Sequence, residues 1–501
     1  MFLLAFILAG LVAGPAAATH RDGPSPGAPG VGDRLFPTLG NGGYDARHYH
    51  LELTYPTADP LQTVDGEVTM FARATQSLSR FNLDFADGTV SEVEVDGRDA
   101  RFALEGEELV ITPRKPIRDH RRFAVEVDFT GGPDEPVDEF PFGWFTTADG
   151  SVTAGQPDQG HTIYPVNDHP VDKATYSFLL DVPEGVTAVA SGEQKWSRTR
   201  GGRTRSFHVM DEPMASELTQ VAVGDLRVID RGRAQGVDLR DVAAESCADQ
   251  AEPLLARTPS QMDWMVDRAG RFPFDTYGVL AADQFFLYAL ETQTLSLHPC
   301  LLFDPELIPP ELAQVIMVHE LAHQWYGDSV APESWSDLWL NEGHATWYER
   351  TYEAEFFGLD FEEYIRAQYE QGDQWRADFG PVAMPASNEL FELFSPNVYD
   401  GGAVVLYALR QVIGDRTFRR LEREWAQRYE GESVGTEDFI RLASRVAHRD
   451  LGPFLRDWLY GTETPPMPGH PDWEVLPPGE PAPESQQRSE AREMELRLRK
   501  H

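Results

Sequence analysis

The sequence predicts a multidomain α+β fold, in which a sheet-rich N-terminal region precedes a mainly helical one, and three observations lead there. A chain of 501 residues is too long for one hydrophobic core. Short segments that alternate apolar and polar residues recur between His48 and Val182, with turn residues between them. Beyond Asp241 the apolar spacing changes from a period of two to that of helices.

The elements follow in order. Phe2 to Ala13 is an apolar run, and Gly14, Pro15 and the small residues Ala16-Ala17-Ala18 come after it, which reads as a signal peptide over residues 1–18. The run is too short to span a bilayer as a helix. No basic residue precedes Arg21, so the usual basic start of such a leader is missing and a start codon upstream stays open; no Cys follows to carry a lipid. Export is the expectation. Residues 19–43 are rich in Gly and Pro and read as a linker.

From Tyr44 the texture changes. His48 to Tyr55, Val68 to Ala74, Val90 to Val95, Phe123 to Phe129 and Ser177 to Val182 each alternate, which predicts a β-sandwich or saddle-shaped sheet domain over 44–240. Helical signals then cover Ala248 to Ala269, Trp339 to Phe357, Phe361 to Tyr369, Gly402 to Ile413, Arg416 to Tyr429, Thr436 to Val446 and Leu451 to Tyr460, within a second domain over 241–473. Residues 474–501, Pro-rich and then charged, read as a disordered tail.

Acidic residues number 82 against 43 basic ones, a formal charge of −39. Such a field repels nucleic acid and anionic membranes, so neither partner is expected. A salt-rich habitat, attraction of cationic peptides and a plain solvated surface all fit it. Cys247 and Cys300 are the two cysteines. In an exported chain they can pair; two unrelated buried thiols are the alternative.

The chemistry concentrates in Val318-His319-Glu320-Leu321-Ala322-His323, an H-E-x-x-H pattern on an apolar helical run. On a helix, residues four apart share a face, so both imidazoles can reach one metal while Glu320, about 100° round, addresses water beside it. A catalytic zinc takes three protein ligands and keeps a fourth position open. Glu342, with 18 residues between it and His323, is the candidate third ligand, because Gly327 ends the first helix and a second one starts near Trp339. Glu320 is then the general base. One zinc ion per chain is expected.

With Leu340-Asn341-Glu342-Gly343 downstream of the histidines, the chain resembles the M1 family of zinc aminopeptidases, the gluzincins, over roughly Tyr44 to Trp473. The resemblance implies a thermolysin-like second domain with the active cleft between the two domains. Tyr288-Ala289-Leu290-Glu291-Thr292 is similar to the family's G-x-M-E-N segment, which implies that Glu291 binds the free α-amine of the substrate; Tyr288, Leu290 and Thr292 depart from the pattern. Val398-Tyr399-Asp400-Gly401-Gly402-Ala403 resembles the Y-x-K-G-A run, which makes Tyr399 the oxyanion donor, with Gly401 in place of Lys. Gly155-Gln156-Pro157, followed by Tyr164 to Pro170 and Lys173-Ala174, looks like the segment that reaches the site from the N-terminal domain, with Gln156 as a second amine contact. His344, next to Gly343, is expected to pack rather than ligate.

The implied activity is hydrolysis of the N-terminal bond of peptides with a free N-terminus. An endopeptidase or epoxide hydrolase on the same scaffold, or a zinc-stabilised peptide-binding protein without turnover, are the rivals.

Overall fold

The computed structural model describes residues 23–136 and 140–479. The proposed signal peptide lies outside the described residues. The N-terminal region is built on a seven-stranded sheet in the order Glu193–Arg200, Arg203–Met214, Ala174–Pro183, Tyr44–Thr54, Val64–Ala74, Arg122–Gly131, Thr89–Val95. All five alternating segments lie in it. Every neighbouring pair is antiparallel except Ala174–Pro183 against Tyr44–Thr54, which run parallel. Along Val64–Ala74 each second residue is buried, so the apolar set faces a core and the polar set faces water. Two four-stranded sheets complete this region.

Sheet continuity draws the division between regions earlier than the change of texture does. Leu226–Ala234 and Val237–Ala244 form an antiparallel hairpin that continues, through Val237–Ala244, into the parallel strands Val279–Ala282 and Ser296–Pro299. The boundary at 240/241 therefore falls inside a strand, and backbone pairing groups this hairpin with the second region. The two parallel strands gave no alternating signal because they are buried throughout.

The 248–269 helical signal is two helices, Ala248–Leu255 and Thr258–Ala269. The break falls before Pro259, which has no N–H to continue a ladder. Three helices then frame the site. Pro310–His323 carries the histidines, Trp339–Phe357 carries Glu342, and Pro396–Ile413 carries Tyr399. The last two cross where both are glycine: a Cβ on Gly402 would stand 2.8 Å from the Gly343 Cα, and one on Gly343 2.9 Å from the Gly402 Cα. Cys247 and Cys300 are disulfide-bonded, joining the start of one helix to the turn that follows Ser296–Pro299.

Two segments differ from the sequence expectation. Residues 23–43 are not a free linker. Leu35, Phe36 and Leu39 are buried, Ser25–Pro26 pairs with Leu78–Asp84, and Asp33 bonds to both regions of the molecule. Glycines and prolines bend this segment tightly onto the core, as at Gly40, where φ is +71° and a Cβ would stand 2.7 Å from His169 Cβ. The expected tail also begins docked: Leu476 N–H donates to Glu370 O and Gly479 N–H to Gln374 Oε1. Residues 480–501 lie outside the described residues.

Candidate active site

The site is assembled from both regions. His319 and His323, one turn apart near the end of Pro310–His323, point their Nε2 atoms at one oxygen of Glu342, at 3.4 and 3.3 Å. Their outer nitrogens are held. His319 Nδ1–H donates to Glu349 Oε2 at 2.7 Å, and His323 Nδ1–H to the Tyr326 carbonyl at 3.1 Å. Each imidazole thus presents Nε2 as its free acceptor, the tautomer a metal ligand needs. Gly327, at φ +143°, turns the chain sharply after the helix, where a Cβ would crowd the His323 ring at 3.2 Å.

The three residues fit a zinc ion. Ligands about 2.0–2.1 Å from a tetrahedral centre stand about 3.3–3.4 Å apart, which is the Nε2 to Oε2 separation found. Glu342 Oε2 is buried and takes no regular hydrogen bond. Electrostatics agree. Burial works to raise the Glu342 carboxyl, but His323 and His319 outweigh it and hold it down to about 2. Burial works to lower His323, but the Glu291 and Glu342 charges lift it to about 9. A divalent cation replacing that proton enters a site already shaped for positive charge.

Glu320 lies beside this group: its carboxylate, that of Glu291 and a nitrogen of His323 fall within 4.8 Å of one another. Burial lifts Glu320 to about 8, the two histidines offsetting part and Glu291 and Glu342 adding to it. A nearby metal charge pulls such a carboxyl back down. The Tyr399 ring stacks on His319 at 5.9 Å and 13°. Its hydroxyl is pushed up by burial and by Glu342, Glu291 and Glu320, so it keeps its proton.

Glu291 is buried in the loop after Leu290. Gln156 Nε2–H donates to Glu291 Oε1 at 2.7 Å, and Gln324 Nε2–H, from just past the motif helix, donates to the Glu291 carbonyl at 2.9 Å. One interaction therefore brings together residues 135 apart in sequence. Two of the departures from the expected patterns, Tyr288 and Gly401, have packing reasons. Tyr288 stacks on Phe142 at 5.0 Å and its hydroxyl donates to Pro141 O. A Cβ on Gly401 would stand 2.4 Å from Asn397 Oδ1. His344 is packed against Tyr326, 4.7 Å away and nearly coplanar, with Nδ1 on Leu340 O; it is not in the metal-ligand group.

Sequence reading passed over Glu349, which orients His319, and Gln324, which holds the Glu291 loop. Glu349 had a signal: it lies seven residues after Glu342 on one helix, two turns along the same face. Gln324 had none, since its partners are 30 and 33 residues away on an irregular loop.

With this geometry, three comparisons agree. Residues 256–458 match the model of the Peptidase family M1 domain. The M1 zinc metallopeptidase of Deinococcus radiodurans superposes with a TM-score of 0.77 at 29% identity, over 90% of this chain and 100% of that one. The chain shares the fold of the M1 zinc metallopeptidases and is homologous to them in sequence. The leukotriene A-4 hydrolase of Xenopus laevis is 26% identical over 466 residues, 85% of this chain and 72% of the relative. Aminopeptidase B of Mus musculus is 24% identical over 365 residues, 68% of this chain and 53% of the relative, so the chain spans only about half that protein. A mutant of the Deinococcus protein is known bound to a Tyr-Ser-Ala substrate, with a TM-score of 0.76 at 28% identity, covering 88% and 100%. Among the described residues of this chain, no helix is long and apolar enough to cross a membrane.

Proposed function

We propose that this protein is a zinc-dependent aminopeptidase that removes the N-terminal residue from peptides. The observation that carries the reading is the Gln156–Glu291 pair, set beside Glu320 and His323. An ammonium held there anchors the substrate by its N-terminus and limits which peptide bond reaches the histidines. Gln156 gives its N–H to Glu291, which leaves Gln156 Oε1 and the second Glu291 oxygen as acceptors for the ammonium. The Tyr-Ser-Ala complex of the Deinococcus relative supports a short peptide as substrate.

His319, His323 and Glu342 would hold the zinc. When bound, the ion supplies Lewis-acid polarisation and makes a water more acidic. Glu320 takes the proton of the attacking water and passes it to the leaving amine. Tyr399 donates its hydroxyl to the oxyanion, a contact worth about 3–4 kcal/mol in the transition state. Glu349 and the Tyr326 carbonyl keep both imidazoles in the ligating tautomer.

The test is a panel of aminoacyl-arylamides and paired free and N-acetylated peptides, with and without a chelator. Chelator-sensitive cleavage that requires the free amine supports the reading. Cleavage of blocked peptides supports an endopeptidase, and binding without turnover a peptide-binding protein. Export belongs to the same proposal: the Cys247–Cys300 disulfide supports an oxidising compartment. N-terminal sequencing of protein recovered from the medium, starting after residue 18, would bear this out, and retention in the cytoplasm would refute it.

A further inference from the structure

Asp33 is fully engaged. Its Oδ1 accepts from Leu35 N–H at 2.7 Å and Phe36 N–H at 3.1 Å, within its own segment. Its Oδ2 accepts from Trp335 N–H at 2.8 Å in the helical region and faces His169 Nε2 at 3.3 Å in the sheet region. His169 Nδ1 accepts from Val171 N–H, so the ring proton sits on Nε2 and points at Asp33. Next in the chain, Arg34 Nη2 donates to Pro385 O and Ser336 Oγ, and Phe36 meets Trp335 edge-on at 5.8 Å.

Trp335 opens a single helical turn, Trp335–Asp337, that leads through Leu338 into Trp339–Phe357. The backbone N–H of Glu342 donates to Leu338 O, so the first turn of the Glu342 helix grows directly from this clamped turn. The turn is gripped on a second side: Asp337 Oδ1 accepts from the Thr436 N–H and hydroxyl. We infer that Asp33 is a positioning residue for the peptidase reaction, holding the 335–337 turn against the sheet region and thereby fixing where the helix sets Glu342. The inference rests on the zinc aminopeptidase reading.

Only a carboxylate meets the geometry. Four N–H donors converge on its two oxygens, and an amide would turn its NH2 toward one pair of them. Burial works to raise the Asp33 carboxyl, but the hydrogen bonds from His169, Trp335, Phe36 and Leu35 outweigh it and hold it well below the usual carboxylate range.

The test uses full-length Asp33→Asn and Arg34→Gln with wild type, each loaded with zinc and kept well below its Tm. The readouts are the rate of zinc loss to excess chelator, and kcat and KM on one aminoacyl-arylamide. For Asp33→Asn, zinc loss should speed up about tenfold and kcat fall by a similar factor, the low end for a group that orients a ligand at one remove. KM should stay within about twofold, because the Gln156–Glu291 pair hangs on other elements. Arg34→Gln, at an exposed side chain that reaches Ser336 and Pro385, should move zinc loss and kcat the same way by about two- to threefold. If Asp33→Asn fails to fold, Arg34→Gln decides. A folded variant with wild-type zinc loss and kcat would overturn the inference and leave Asp33 as a fastening only. A wild type without aminopeptidase turnover would sink the functional reading, while the zinc-loss comparison would still report on Asp33.

Discussion

The motif helix and the 23–43 segment both bear on Glu342, yet they do so through different kinds of information. Pro310–His323 places its two histidines by helical spacing alone, a property of five consecutive residues. The N-terminal segment places Asp33 through N–H donors more than a hundred residues away, at His169 and Trp335. One is periodic and the other is not. The difference teaches that the two histidines and the base are written in short-range spacing, while what holds them in place is written in long-range contacts. Substitutions in the first class should abolish turnover, with or without loss of the metal, and change stability little, while those in the second should lower stability or, more mildly, metal retention and kcat.

Glu320→Gln is the sharpest test of the first class. It keeps shape and removes the base, so kcat should fall by about a hundredfold or more, with zinc content and Tm near wild type. A variant retaining a tenth of the wild-type rate would remove Glu320 from the role. His323→Ala should deplete zinc strongly by metal analysis, since it leaves two ligands; full occupancy would break the assignment. Glu291→Gln should raise KM and lower kcat together, because the ammonium contact both anchors and orients the peptide. The informative number is the ratio of kcat/KM for free and N-acetylated forms of one peptide, and an unchanged ratio would favour an endopeptidase.

For the second class, Gly402→Ala pushes a methyl into the backbone of the Glu342 helix, where 2.8 Å leaves no room. Chemical denaturation should show a loss of about 1–3 kcal/mol, typical of overpacking. An unchanged midpoint would mean that the two helices part easily. The smallest expected effect is pH-dependent and lies in the sheet region. Burial works to lower His161, but its hydrogen bond and charge interaction with Asp168, 2.7 Å away, lift it to about 9. A histidine raised above its unfolded value of about 6.5 stabilises the fold fully below that pH and gives up the contribution as pH rises through the folded value. The Tm difference between wild type and His161→Gln should therefore be largest near about pH 6 and shrink toward about pH 10. A constant difference across that range would assign the effect to packing.

How much of this was legible in advance follows the same line. The five alternating segments are strands, since alternation reports a sheet with one wet face. Val279–Ala282 and Ser296–Pro299 were silent because strands buried on both faces do not alternate. Glu349 was readable by its helical spacing from Glu342, whereas Gln324 and Asp33 touch partners that no local window contains. The Gly and Pro content of residues 23–43 read as a linker because nothing in local composition shows that Leu35, Phe36 and Leu39 pack onto the core.

By itself the sequence determined the ordering of a sheet region before a helical one, the two histidines on one helical face, and the base between them. Each depends on periodicities that a polypeptide carries locally. Only the tertiary structure decided that a Gln from the sheet region meets Glu291, that the Gly343–Gly402 crossing draws two helices together beside the histidines, and that Asp33 fastens both regions around them. Those pairings join distant parts of the chain, and side-chain hydrogen bonds and close packing leave no trace in local spacing.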